Sequence, residues 1–345
     1  MVEQGRYGRF ARVVVATVAG AALLAVAACG GAPAPEDRTL TLYNAQHEDL
    51  GRLWVDEFTR QTGIPVQIRK GGDFELGNQL VAEGAASPAD VFITENSPAM
   101  SLVSGAGLFA PVDPGTRAQV PAQYSSNRGD WVGIAARTTV VVYNPSLVAA
   151  DQLPASILDF AQPAWRGRIA FPPGGADFQA IVSAVDALNG DAATQQWLDG
   201  LKANGRTYQS NTATMQAVNR GEVPAGIIYH YYWFQDRAES GANSANTQLK
   251  FYTDGDAGGF LSVSGGGVLA SSRRPAEAQQ LVAFLAGAAG QQVLARSENL
   301  EYTVGAGVPA NPALKPFSEL RPPPVDLNAL NGPKIVQMMQ QAGLL

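Results

Sequence analysis

"TLTLYNAQHEDLGRLWVDEFTRQTGIPVQIRK", residues 39–70, decides the fold. "TLTLYN" reads as a strand, and "HEDLGRLWVDEFTRQTG" as a helix with Leu50, Leu53, Trp54 and Phe58 on one face and Gly63 as its stop. "IPVQIRK" is the next strand, so the stretch predicts one strand–helix–strand crossover of an α/β sheet. Outward from it, a helix is expected over 73–84, a strand at "ADVFITE" (89–95), and a short helix at "SPAMSLVSGAG" (97–107), capped by Ser97 with Pro98 at its first position. The β-branched run "TTVVVYNP" (138–145) then leads into a second series, with helices near 155–161, 177–189, 192–203 and 212–220. "GVLASS" (267–272) and "PAEAQQLVAFLAG" (275–287) look like a return to the first series, and a terminal helix is expected within 326–345. One α/β series interrupted by another and resumed predicts two lobes joined by a pair of crossing strands: 39–139 with 263–315, and 140–262 with 316–345. Open α/β sheets bind ligands beyond the carboxyl ends of their strands, which here places the ligand in a cleft between the lobes.

Composition agrees with a globular chain. Of 345 residues 46% are apolar and 16% charged, enough for a large core. The net charge of −6, with no run of Lys and Arg, argues against a nucleic-acid partner. Residues 1–28 carry Arg6, Arg9 and Arg12 ahead of an apolar, small-residue stretch, the pattern of a secretory signal. It ends in "VAAC", which resembles a bacterial lipobox and predicts that Cys29, the chain's sole cysteine, carries lipid, with 29–38 as a linker. An exported chain with one cysteine has no internal disulfide, so its core alone must hold it.

Three strand-to-helix elbows carry polar residues. His47 follows "TLTLYN", Glu95 follows "DVFIT", and Tyr231 with Tyr232 follow "AGIIYH" in a segment, "GIIYHYYWFQDR" (226–237), that crowds three tyrosines, a histidine and a tryptophan into five positions. Each has a structural explanation alone: His47 as a helix cap, Glu95 against a helix dipole, the tyrosines as core rings with wet hydroxyls. Together they match the needs of ferric ion, a small, hard, trivalent acid that favours anionic oxygen. A phenol ordinarily loses its proton near pH 10, but a trivalent cation at bonding distance favours the phenolate. One imidazole and one carboxylate then complete a mixed N/O shell with room for water or an anion.

"LYNAQHEDL", "SPADVFITENSPA", "PAWRGRIAFPP" and "GIIYHYYWF" together resemble the ferric-iron-binding proteins of bacterial iron ABC importers, over nearly all of 39–315. The tyrosine pair followed by Trp233 is the most specific element. The resemblance implies a type II, two-lobed periplasmic-binding-protein-like α/β fold with Fe3+ as transported cargo and His47, Glu95, Tyr231 and Tyr232 as its ligands. It also implies a synergistic anion, carbonate or phosphate, at the "PPGGADFQ" turn, held by the backbone of Gly174, Gly175 and Ala176 and by the amides of Asn96 and Asn211. Asp177 stands about where some importers supply a further ligand, and Tyr229 where some relatives have asparagine. The implied setting is a monomeric, non-enzymatic receptor, lipid-anchored on the extracytoplasmic face of the membrane and serving an ABC permease and its ATPase. Two readings compete: a binding protein of the same fold for thiamine, a polyamine or an oxyanion, and a non-haem iron enzyme built from His47, His230 and an acid. No zinc-type Cys/His cluster, nucleotide phosphate loop or G-x-S-x-G elbow is present in the sequence.

Overall fold

A computed structural model describes residues 38–345; Cys29 and the expected signal and linker lie outside the described residues. The strands are β1 (Leu40–Asn44), β2 (Val66–Lys70), β3 (Val91–Ile93), β4 (Val132–Tyr143), β5 (Ile169–Phe171), β6 (Arg206–Thr207), β7 (Ala225–Tyr229), β8 (Gln248–Lys250) and β9 (Leu261–Val268). The helices are α1 (Glu48–Thr62), α2 (Asp73–Glu83), α3 (Ser97–Gly105), α4 (Pro114–Arg117), α5 (Ala176–Asn204), α6 (Asn211–Asn219), α7 (His230–Glu239), α8 (Pro275–Ala286), α9 (Ala288–Arg296) and α10 (Gly332–Gln341).

Local chemistry accounts for the first unit. Leu50, Trp54 and Phe58 recur every fourth residue and are buried, and Gly63 closes α1 at φ 70°, a left-handed conformation that glycine adopts without penalty. Leu53, expected on the same face, is 45% exposed, because the buried stripe turns through Val55 and Gly51 instead. Helix α3 begins at Ser97 itself; the Ser97 hydroxyl donates to the Val263 carbonyl at 2.7 Å and so ties the helix to β9 rather than capping it. Helix α5 breaks at Gly190 (φ 78°, ψ 170°), where the sequence places the gap between two helices.

Strands run in the order β2-β1-β3-β9-β4-β7-β5-β6, with β8 also against β4. The parallel β2-β1-β3 and β7-β5-β6 groups come from the two series of crossovers, and antiparallel β9 and β4 join them. All twelve residues of β4 are buried, and the strand changes partner midway. Val132 to Thr138 pair with β9, whereas Thr139 to Tyr143 pair with β7. The chain therefore passes from one sheet to the other between Thr138 and Thr139.

Two cores lie on either side of this crossing. One gathers Leu42, Trp54, Phe58, Phe92 and Trp131; the other gathers Phe160, Phe171, Phe178 and Trp197, with the Phe171 and Phe178 rings stacked 4.9 Å apart. Full burial of each such side chain contributes about 1.5–3 kcal/mol. The C-terminal stretch, expected wholly with the second lobe, is divided between them. Leu320, Leu327 and Leu330 pack in the first core, and Ile335, Met338 and Met339 on one stripe of α10 pack in the second.

Close packing at the crossing strand yields a test. A β-carbon at Gly133, beside the register shift in β4, would collide with the main-chain carbonyl oxygen of Tyr124, which cannot rotate away. Gly133→Ala is expected to lower unfolding free energy by about 1–3 kcal/mol in denaturant titration. Gly115→Ala, where a β-carbon meets nothing within 4 Å, is expected to be nearly neutral; equal effects at the two positions would contradict this packing account.

Candidate metal centre

Polar side chains from four strand ends converge where the two sheets meet. Beyond β1, the Asn44 carboxamide oxygen accepts the Gln46 N–H (3.1 Å), and the Gln46 side chain accepts the His47 N–H (2.8 Å). His47 occupies the N-cap position of α1, but its ring makes no capping bond. Glu48 and Asp49 supply the negative charge that the first turn favours, which leaves the imidazole free. Its Nε2 lies 3.3 Å from Glu95 Oε1, outside hydrogen-bonding geometry, and its ring meets the edge of Tyr231 at 5.2 Å.

Beyond β3, the buried Asp73 carboxylate accepts the backbone N–H groups of Glu95 (2.8 Å) and Asn96 (2.9 Å). The elbow is thereby fixed by another residue, and the Glu95 carboxylate is spare. Tyr231 donates to its Oε1 at 2.8 Å.

Asp177 sits in the first turn of α5, just after the Gly174–Gly175 turn, with Gly175 at the N-cap. Its Oδ1 accepts from Asn96 (3.0 Å) and its Oδ2 from Asn211 (2.8 Å) and Tyr232 (3.2 Å), with the Tyr231 hydroxyl 3.4 Å away. Burial first, and then the neighbouring Glu95 charge, push this carboxyl up to about 7. Asn96 and Asn211, expected to hold a free anion, thus both hold the Asp177 carboxylate.

The tyrosine pair lies in the first turn of α7, which starts at His230. Their rings tilt together at 4.2 Å between centroids. Burial, and then the Asp177 charge, push both phenols well above their ordinary value, so both are neutral as they stand. A cation in their midst reverses that balance by favouring the phenolates. Among the described residues no three His, Cys, Asp or Glu side chains are grouped so as to hold a metal by themselves. The phenols are what make an oxygen-rich donor set here.

All the side chains singled out from the sequence as ligands or anion holders therefore meet: His47, Glu95, Asn96, Asp177, Asn211, Tyr231 and Tyr232. His230 does not join them as a donor. It is fully buried, its Nδ1 accepts the Thr138 N–H at 3.2 Å, and its ring stacks on Tyr302 at 4.8 Å. Burial, and then the Arg137 charge, push it down to about 3, so it stays neutral. Tyr229 is buried in the second core. Sequence reasoning missed Arg137 and Glu301, both fully buried beside the centre. The available signal for Arg137 was a lone arginine inside the long apolar run of β4.

Comparison with known proteins fits this geometry. The sequence pattern of the family described as bacterial extracellular solute-binding proteins matches residues 86–323. The chain belongs to that family. This solute-binding protein is 52% identical over 331 residues to the Fe(3+)-binding periplasmic protein of Serratia marcescens, covering 96% of its own chain and 97% of the other. It is 36% identical over 329 residues to the major ferric iron-binding protein of Neisseria meningitidis, covering 94% and 98%. Its fold matches that of iron-bound HitA from Pseudomonas aeruginosa with a TM-score of 0.83 at 42% identity, over 89% of this chain and 99% of that one. The fold is thus the two-lobed α/β fold expected, and these relatives are binding proteins, not enzymes.

Asp177 makes the metal-free protein sensitive to pH. The folded carboxyl takes its proton near pH 7, the unfolded one near 3.8. Between these limits the folded state binds more protons, so this group lowers stability as pH rises from about 4 to 7, and the loss is complete above 7. Asp177→Asn removes the titration. Thermal melts of metal-free protein from pH 5 to pH 8 are expected to show a more negative slope of stability with pH in the parent than in the variant. Parallel slopes would show that Asp177 is already ionised at pH 5.

Proposed function

We propose that the protein captures ferric ion between its lobes, through His47, Glu95, Tyr231, Tyr232 and Asp177, and delivers it to an ABC permease and its ATPase. The observation that carries this reading is the meeting of both tyrosine hydroxyls with the carboxylates of Glu95 and Asp177, at 2.8–3.4 Å, beside an imidazole. Hard, anionic oxygen is the donor class that a trivalent ion selects. Two phenolates and two carboxylates bring four negative charges, which leave a ferric complex with one net negative charge and a divalent complex with two. An organic cation needs no such stack of phenols on buried acids.

In this reading Asp177 takes the place that the resemblance gives to carbonate or phosphate. Its carboxylate already uses the Asn96 and Asn211 amides that a free anion would need. The turn at Gly174, Gly175 and Ala176 then serves to present Asp177. Delivery fits a monomeric receptor lipidated at Cys29 on the extracytoplasmic face of the membrane, with lobes at 39–139 with 263–315 and at 140–262, and with the C-terminal stretch divided between them. Anchoring there would keep the receptor near its permease, since several acyl chains hold where one is marginal.

Titration of protein lacking residues 1–29 with ferric citrate tests the reading. A visible tyrosinate-to-iron band is expected to grow to one equivalent. Tyr231→Phe and Tyr232→Phe keep the ring and delete the oxygen. Each is expected to weaken the band and to lower affinity by more than the ~10–100-fold that loss of an outer partner of a metal ligand causes. Full colour and affinity in both variants would remove the pair from the site, and saturable binding of thiamine or a polyamine with no iron colour would favour an organic cargo.

A further inference from the structure

Arg137 and Glu301 are a fully buried ion pair, and their place is unlike that of a pair that serves stability. Arg137 stands in β4 two residues before the strand's pairing passes to β7. One arm of its guanidinium donates to the Glu95 carbonyl oxygen and lies 3.6 Å from Glu95 Oε1. The other arm donates to Ser264 Oγ at 3.0 Å and to Glu301 Oε2, and reaches Gln46 Oε1, the acceptor of the His47 N–H, at 3.4 Å. The guanidinium carbon lies 5.5 Å from the centroid of the Tyr231 ring, within range of a cation–π attraction. A single planar fork thus touches the supports of His47, Glu95 and Tyr231, which come from three elements and both sides of the crossing.

Glu301 adds a second feature. Its Oε1 is buried without a hydrogen-bond partner and lies 3.8 Å from His47 Nε2, which also lacks one. Two unpartnered buried polar atoms that face each other carry a free-energy penalty, which is the arrangement expected where a third body belongs. Burial alone disfavours the Arg137 charge, but Glu301 and Glu95 more than offset it, so the fork stays charged and its donors stay aimed. Buried ion pairs contribute little net stability, because desolvation cancels most of their attraction, and apolar pairs of similar volume are often as stable.

We propose that Arg137 and Glu301 are positioning residues for the cargo, holding His47, Glu95 and Tyr231 in register across the crossing strands. The inference rests on the ferric reading above. Metal ligands are set by the groups behind them, and loss of such a group lowers metal affinity by about 10–100-fold while the ligands remain.

The test uses ferric citrate on three variants, with citrate competition for affinity, the visible band for ligand geometry, and thermal melts for stability. Glu301→Gln keeps the shape and is expected to stay folded and coloured, with the band shifted and affinity down about 10–100-fold. Arg137→Met leaves Glu301 as a buried, unpaired charge and is expected to melt lower. The double variant R137M/E301M removes both charges, and its stability is expected to recover to near the parent's while its iron affinity and band stay altered. A double variant that regains the parent's affinity and band along with its stability would overturn the proposal, because the pair would then be structural only. Should R137M fail to fold, E301Q and the double variant carry the decision. A parent that takes up no ferric ion overturns the functional reading, and this inference with it; a parent that binds, alongside variants that bind equally well, overturns this inference alone.

Discussion

The Asp177 carboxylate is the constraint on which the centre turns. It is buried, it belongs to the second sheet's helices, and it accepts from Asn96, which belongs to the first. From its own side it accepts from Asn211 and Tyr232. A carboxylate so placed needs every one of these donors, because an unpaired buried charge is among the costliest arrangements a protein can contain. It therefore fastens one sheet's loops to the other's and gathers the phenols at the same point. The acidity that makes this junction expensive without a cation is what suits it to one.

The crossing of β4 and β9 explains why such distant residues can meet. Each parallel group brings its strand ends, with their helix-entry loops, towards the line where the sheets join, so elbows after β1, β3, β5 and β7 face a common space. Burial on both faces of β4 fixes that line, since all twelve of its residues are enclosed. Arg137 is the one charged residue in this strand. Its charge is tolerated only because Glu301 and the carbonyl oxygen of Glu95 meet it.

Much of this was legible in the sequence, and the limits have physical causes. Helix α1 was readable from Leu50, Trp54, Phe58 and Gly63, where period and stop signal agree; Leu53 was misplaced because a residue three positions on lies at the edge of a helical stripe. The start of α7 at His230 is not marked in the sequence, since a run of aromatics suits a strand as well as a helix, and only packing chooses between them. The donors His47, Glu95, Tyr231 and Tyr232 could be nominated because each sits at a local elbow. Roles that depend on partners far along the chain could not be read so. Glu301 lies 164 residues from Arg137, and the Asn96 amide lies 81 from the carboxylate it holds. The C-terminal stretch was assigned to one core because nothing local shows that Leu327 and Met338 face different ones.

The most direct measurement is a crystal structure of the iron-loaded protein with an anomalous difference map at the iron edge. The account predicts one strong peak within bonding distance of the Tyr231 and Tyr232 oxygens, Glu95, His47 Nε2 and an Asp177 oxygen, with no free anion on the metal. A peak away from the tyrosine pair, or iron held there with phosphate or carbonate in the place assigned to Asp177, would contradict it.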